Sequence, residues 1–175
     1  MTLDLVLRNA RIVGSAADAP LQDIGIQDGK ITAIESALSA EGEEIDVEGC
    51  MVSPGLVETH IHLDKSRILD RSTPSPNRGS DHMKRVAAVK HTFTVEDVYE
   101  RAQASLESCL INGTTHMRTH VEVDPNVGMN SFYALEQLAK DYAWAIEIDL
   151  CVFIQEGLTG VPGSDQNLVA GVERG

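Results

Sequence analysis

Val52-Ser53-Pro54-Gly55-Leu56-Val57-Glu58-Thr59-His60-Ile61-His62-Leu63-Asp64 is the stretch in which the character of the sequence changes. Ahead of Pro54-Gly55 the chain reads as short strands. Behind it, apolar runs alternate with stretches of helical periodicity. Residues 56–63 form an apolar-rich run that carries two histidines. Side chains alternate faces along a strand, so His60 and His62 point the same way. Two imidazoles on one face can chelate one metal ion, or they can be unrelated histidines, one simply hydrogen-bonded. Their place at the C-terminal end of the first strand in a parallel series raises the metal reading, because parallel α/β folds build their sites at that end.

The order of segments after residue 56 supports such a series. A polar stretch, 64–93, follows the histidines and contains Thr73-Pro74-Ser75-Pro76-Asn77-Arg78-Gly79-Ser80. It reads as a long irregular connection, of the kind that is usually functional or mobile. Thr94 and Asp97 have the spacing of a helix start. Val95, Val98, Tyr99, Ala102 and Leu106 then share one helical face up to about residue 111. Asn112-Gly113 supplies the stop. A strand is expected over 114–123, a helix over 131–142, a strand over 146–154 and the beginning of a further helix over 166–174. Alternating strands and helices predict a parallel sheet covered by helices. Within 3–53, Ile24-Gly25-Ile26-Gln27 and Ile31-Thr32-Ala33-Ile34 flank Asp28-Gly29, a strong hairpin signal. This segment reads as a small β unit without obvious chemistry, and its acids at 41–48 as a solvated strand edge.

Two further groups carry candidate chemistry. His116, Arg118 and His120 share one parity of the 114–123 strand, and Met117, Thr119 and Val121 share the other. The polar set faces either solvent or a cavity. A parallel strand between helices rarely has a solvent face, which favours the cavity. Gln155 closes the apolar run of the third strand. It is either a strand-end residue facing water or an amide that reads a ligand. His120-Val121-Glu122 matches half of the cysteine-ligated zinc deaminase signature, but the PCxxC half is absent. No phosphate-binding glycine loop and no GxSxG elbow occurs.

Composition narrows the classes of partner. The 175 residues hold 27 acids and 14 bases, a net charge of −13. That field repels nucleic acid and anionic membranes. No apolar run is long enough to span a membrane, and the N-terminus lacks the features of a signal peptide. Cys50, Cys109 and Cys151 are odd in number and widely spaced, which argues against a disulfide framework and for a reducing cytoplasm.

The chain resembles the amidohydrolase superfamily. The resemblance rests on Asp28-Gly29-Lys30-Ile31, Ile45-Asp46-Val47-Glu48-Gly49 and the stretch from Val52 to His62. Glu58 departs from the aspartate many members carry there. Within the superfamily the chain looks most like the cytosine deaminase branch. The supporting pieces are His60-Ile61-His62-Leu63-Asp64, Asn112-Gly113-Thr114-Thr115-His116-Met117-Arg118-Thr119-His120-Val121-Glu122 and Val152-Phe153-Ile154-Gln155-Glu156-Gly157.

This resemblance implies an α/β fold. Residues 1–53 would belong to the small β-domain of such enzymes, and 54–175 would form the first β/α units of a metal-dependent-hydrolase-type (β/α)8 barrel, incomplete in this chain. It implies a mononuclear zinc or iron site in which His60 and His62 are two ligands, with Asp64, Arg118 and His120 lining the cavity and Gln155 binding substrate. The implied reaction is deamination of cytosine or a related nitrogen heterocycle by metal-activated water. The absence of a candidate for a carboxylated, metal-bridging lysine, as in hydantoinase and dihydroorotase relatives, weakly favours the mononuclear branch.

The remaining family features are a further histidine ligand, an acid/base glutamate, another histidine and an aspartate. All are expected beyond residue 175, so no catalytic residue is assigned within the chain. A catalytic zinc normally has three protein ligands, so metal binding is expected to be weak unless a complementing chain or self-association completes the site. The contrasting expectation is a truncated, catalytically silent remnant or binding module.

Overall fold

The computed structural model describes residues 2–39, 41–72 and 82–174. The chain divides into two compact units, Met1–Pro54 and Gly55–Gly175.

The first unit is a five-stranded sheet. Strands β1 (Thr2–Ile12), β2 (Gln22–Gln27), β3 (Lys30–Glu35) and β4 (Glu41–Asp46) lie in the order β3-β2-β1-β4, and the short β5 (Met51–Val52) pairs with β1. Alternation in β1 buries Leu3, Val6 and Ala10, and Leu38 closes over Leu3 and Val6. Asp28 and Gly29 take φ values of 51° and 70° between antiparallel β2 and β3, the left-handed pair that a tight hairpin turn requires. Gly25 is needed for another reason: a Cβ there would stand 2.7 Å from Leu3 Cδ1 and 2.8 Å from Leu38 Cδ2. Strand β4 is exposed along its whole length at the sheet edge.

The second unit is a parallel three-stranded sheet, β6 (Leu56–Ile61), β7 (Thr114–Glu122) and β8 (Glu147–Phe153), with β7 in the middle. Helices α1 (His82–Val89), α2 (Val95–Leu110), α3 (Asn130–Asp141) and α4 (Ser164–Arg174) complete it. Met117, Thr119 and Val121 of β7 are buried and join a core with Val98, Ala102 and Leu106 of α2 and Phe132, Leu135 and Leu138 of α3. His116, Arg118 and His120 fall on the opposite face. There His116 lies 3.4 Å from Glu147 and Arg118 3.4 Å from Asp149, each directly across the ladder. Gly171 lets α4 approach β8, since a Cβ there would meet Val152 Cγ1 at 2.9 Å.

Helix α2 starts where the sequence places it. Thr94 accepts a hydrogen bond from the Asp97 N–H at 3.2 Å. The Asp97 carboxylate does not return to the cap. It accepts instead from Arg71 and Arg101, each at 2.9 Å, and Arg101 in turn donates to the carbonyls of Asp64 and Ser66 at 3.0 and 2.7 Å. The turn that follows β6 is thereby tied to α2.

The expectation of an irregular 64–93 connection needs correction. Short 3₁₀ turns occupy Leu63–Lys65, Leu69–Arg71 and Lys90–Thr92, and α1 (His82–Val89) directly precedes the third of them. Met83, Val86 and Val89 supply its apolar side, but eight residues give too little periodicity to be read from sequence. The Pro-rich residues 73–80 lie outside the described residues. Helix α4 begins two residues ahead of the expected 166. Among the described residues, no helix is long and apolar enough to cross a membrane.

Two outcomes follow from this packing. Leu135→Ala removes a fully buried side chain from the α3–sheet core and should cost about 2–5 kcal/mol in urea unfolding. Arg71, with Arg101 behind it, outweighs burial and holds the Asp97 carboxyl down at about 2. A depressed folded-state pKa stabilises fully above about pH 4 and is lost as the pH falls towards 2. Asp97→Asn should therefore flatten the dependence of the unfolding midpoint on pH between about 2 and 4, and an unchanged slope would count against this pair.

Candidate functional site

The C-terminal ends of the three parallel strands meet at one cavity of about 410 Å³. His60 comes from the end of β6, and His62 stands one residue beyond that strand. His120 comes from β7, Phe153 from the last position of β8, and Gln155 from just past it. Lys65 lines one side, and His82, Met83 and Val86 of α1 contribute another wall. The rings of His60 and His120 stack at 4.0 Å, and His62 lies 5.5 Å from each. Phe153 packs against His62 at 5.2 Å.

The electrostatics favour uncharged imidazoles at His62 and His120. Burial, then the charge of Lys65 and the neighbouring rings of His120 and His60, lowers His62 to about 4. Burial, with His60 and Arg118, also lowers His120. Neutral imidazole is the form that offers a lone pair to a cation. The Nδ1 atoms of His62 and His120 are buried without a hydrogen-bond partner among the described residues. Orphaned donor atoms on converging rings fit a metal centre in part. The histidines alone do not form a three-donor set with closely spaced ligand atoms.

Asp64 and Arg118, expected to line the same cavity, do not. Asp64 lies fully buried behind it. Its Oδ2 accepts the Glu122 backbone N–H at 3.0 Å, and its Oδ1 stands 4.0 Å from His62 Nδ1, beyond hydrogen-bond reach. Burial pushes this carboxyl up to about 6. Arg118 shares the face of His120 but sits two residues down the strand, roughly 6–7 Å away. It pairs with Asp149 and lines a separate concavity with Leu150 and Cys151.

Behind the cavity is a charged cluster that the sequence reading passes over. Glu122, only 2% exposed, lies between two lysines: Lys90 Nζ is 2.7 Å from Oε1 and Lys65 Nζ 2.7 Å from Oε2. Lys90 also donates to Asp124 and, at 2.6 Å, to Glu156 Oε1. The carboxylates of Glu122, Asp124 and Glu156 could by spacing hold a cation, but the Lys90 ammonium bonds to all three. Burial alone would lower Lys90, yet these three acceptors raise it above the ordinary lysine range. One signal in the sequence could have found Glu122: it continues the parity of His116, Arg118 and His120. Lys65 and Lys90 sit in irregular turns, where no periodicity marks them.

Residues 43–142 match the family described as the amidohydrolase family. The chain is 30% identical over 161 residues to N-isopropylammelide isopropyl amidohydrolase of Pseudomonas sp. (strain ADP), a match covering 88% of this chain and 39% of that protein. It is 23% identical to the dihydroorotase of Listeria welshimeri, over 96% of this chain and 42% of that one. Among solved structures, 5-methylcytosine deaminase from Klebsiella pneumoniae, liganded with phosphonocytosine, superposes with a TM-score of 0.82 at 29% identity, covering 97% of this chain and 42% of that one. The chain belongs to the amidohydrolase family. It spans about two fifths of the length of these relatives and supplies the first three strands of the family's (β/α)8 barrel.

The lysine between the carboxylates has a measurable role. Lys90→Met leaves three acidic groups facing one another without their shared cation. It should destabilise the protein by about 3–5 kcal/mol at pH 7 in urea unfolding. Lys90 holds the Asp124 carboxyl below the usual range, so the stability it contributes is complete above about pH 4 and declines below it. The gap between variant and wild type should narrow as the pH drops below about 4.

Proposed function

We propose that this chain carries the first part of a metal-dependent, cytosine deaminase-like active site that hydrolyses a C–N bond of a nitrogen heterocycle. The observation that carries the reading is the convergence of His60, His62 and Gln155 on one cavity at the C-terminal ends of parallel strands. In this reading His60 and His62 hold a divalent metal, zinc or iron, with neutral ring nitrogens. Such a metal supplies water activated at neutral pH and polarisation of the reacting carbon. The chain's own groups do the rest. Gln155 hydrogen-bonds the ring edge, Phe153 presents an apolar wall, and α1 shields one side of the cavity from water. Across the reaction a C–O bond forms, the exocyclic C–N bond breaks, and the amine leaves with a proton originating from the water.

The names of two of the matched proteins support this reading: a 5-methylcytosine deaminase and an N-isopropylammelide isopropyl amidohydrolase. A second reading, a binding module without turnover, is favoured by one observation: two expected histidine ligands fall short of the three a catalytic zinc normally takes. We place the protein in the cytoplasm on the strength of its three widely spaced cysteines, and its net charge of −13 disfavours nucleic acid as a partner.

Metal content of the purified 175-residue protein separates the two readings. About one zinc or iron per chain, lost in His60→Ala, supports the metal-dependent enzyme. A metal-free protein that rejects added zinc would mean that His60 and His62 do not hold a metal by themselves, and would sink metal-dependent activity of this chain alone.

A further inference from the structure

We infer that Lys65 is a positioning residue that fixes the orientation of the Gln155 amide and thereby makes the cavity a reader of ring carbonyl oxygens. The inference deepens the proposed heterocycle site and rests on it for the identity of the ligand. The orientation itself rests on geometry alone.

Lys65 Nζ lies 3.0 Å from Gln155 Oε1. An ammonium has three donors and no acceptor, so the amide atom facing it must be the oxygen. The opposite orientation would set an NH₂ group against an NH₃⁺ group. This contact resolves the flip ambiguity that usually attends a glutamine side chain. Lys65 is in turn held on two other sides. Glu122 Oε2 is 2.7 Å from Nζ, and the ring of Phe153 lies 4.5 Å from it in a cation–π contact. The lysine side chain is 9% exposed. Glu122 is itself pinned by Lys90 and by the bond from its own N–H to Asp64. For Lys65 to swing away, a buried ion pair would have to break.

With its oxygen turned to Lys65 and one lone pair engaged there, Gln155 has both hydrogens of Nε2 free to offer. No protein acceptor takes them among the described residues. Gln155 lines the cavity beside His60, His62 and His120. A ligand edge that meets this amide is therefore matched when it presents an acceptor, and a ring carbonyl oxygen is the acceptor typical of oxo-substituted nitrogen heterocycles. A ring that lacks the carbonyl leaves the donors unpaired. A net hydrogen bond of ordinary strength makes this about a tenfold preference.

The test uses the ¹⁵N-labelled 175-residue chain. The Gln155 side-chain amide pair is assigned by its disappearance in Gln155→Glu. In the wild type the pair should be dispersed, with a heteronuclear NOE close to that of the β8 backbone. Lys65→Met, which keeps most of the stem, should move the pair to random-coil shifts and lower its NOE, and Lys65→Arg should restore order. The backbone signals of β8 serve as the control for a general loss of structure. A freely rotating Gln155 amide in the wild type overturns the proposal even if Lys65→Met fails to fold. An ordered pair that ignores Lys65→Met overturns it as well.

Cytosine and 4-aminopyrimidine, which lacks the ring carbonyl, are then titrated while this pair is followed. Cytosine should bind about tenfold more tightly to the wild type, and the preference should vanish in Lys65→Met. A preference that survives in Lys65→Met overturns the carbonyl-reading role. If neither ring binds while the Gln155 pair is ordered by Lys65, the heterocycle reading fails and the positioning role is upheld.

Discussion

Glu122 is a carboxylate buried between two ammonium groups, and the arrangement around the cavity depends on it. A charge taken out of water is costly unless it is paired and hydrogen-bonded. Glu122 accepts a hydrogen bond from Lys90 on Oε1 and is ion-paired to Lys65 at Oε2, with its backbone N–H donated to Asp64. The three partners come from two places: Lys65 and Asp64 from the turn after β6, and Lys90 from the turn after α1. Satisfying one buried carboxylate thus fixes the chain on both sides of the cavity relative to the end of β7. Asp124 and Glu156 extend the same constraint to the chain beyond β7 and β8.

The apolar half of the structure supplies the opposing surface. Met117, Thr119 and Val121 point into the helices, and strand alternation then leaves His116, Arg118 and His120 no choice but the other face. Thr119 is the one polar member of the buried set, and its hydroxyl accepts the Leu63 N–H at 3.1 Å. That bond sets the position of the residue directly after His62. Core packing and site geometry are therefore two faces of a single strand, and a slip in the register of β7 would disturb both at once.

Much of this was legible in the sequence because it follows from periodicity. The β-α-β-α-β order, the Thr94 cap, the Asp28-Gly29 hairpin and the shared parity of His116, Arg118 and His120 need only spacing and turn chemistry. The convergence of His60, His62 and Gln155 was approached through strand parity and family resemblance together. What escaped was built from irregular chain. Lys65 and Lys90 lie in 3₁₀ turns, and α1 is too short to advertise itself. Asp64 illustrates a different failure. The family resemblance implied a cavity residue, but the backbone turns after Ile61 and the Asp64 carboxylate accepts the Glu122 backbone N–H. Arg118 failed by simple distance along the strand.

The two lysines that hold Glu122 stand at positions 65 and 90, and the Pro-rich stretch 73–80 lies between them. The anchors, not the intervening chain, define where this connection begins and ends at the cavity. The entropic cost of closing such a connection grows only slowly with its length, by roughly 0.6 kcal/mol for each doubling. By that measure a change in the length of the connection is cheap in closure entropy, and the ion pairs of Lys65 and Lys90 with Glu122, Asp124 and Glu156 draw on no residue of 73–80. Divergence in length between the two lysines therefore carries little closure cost, so long as the turns that hold Lys65 and Lys90 and the cavity-lining residues of α1 are kept.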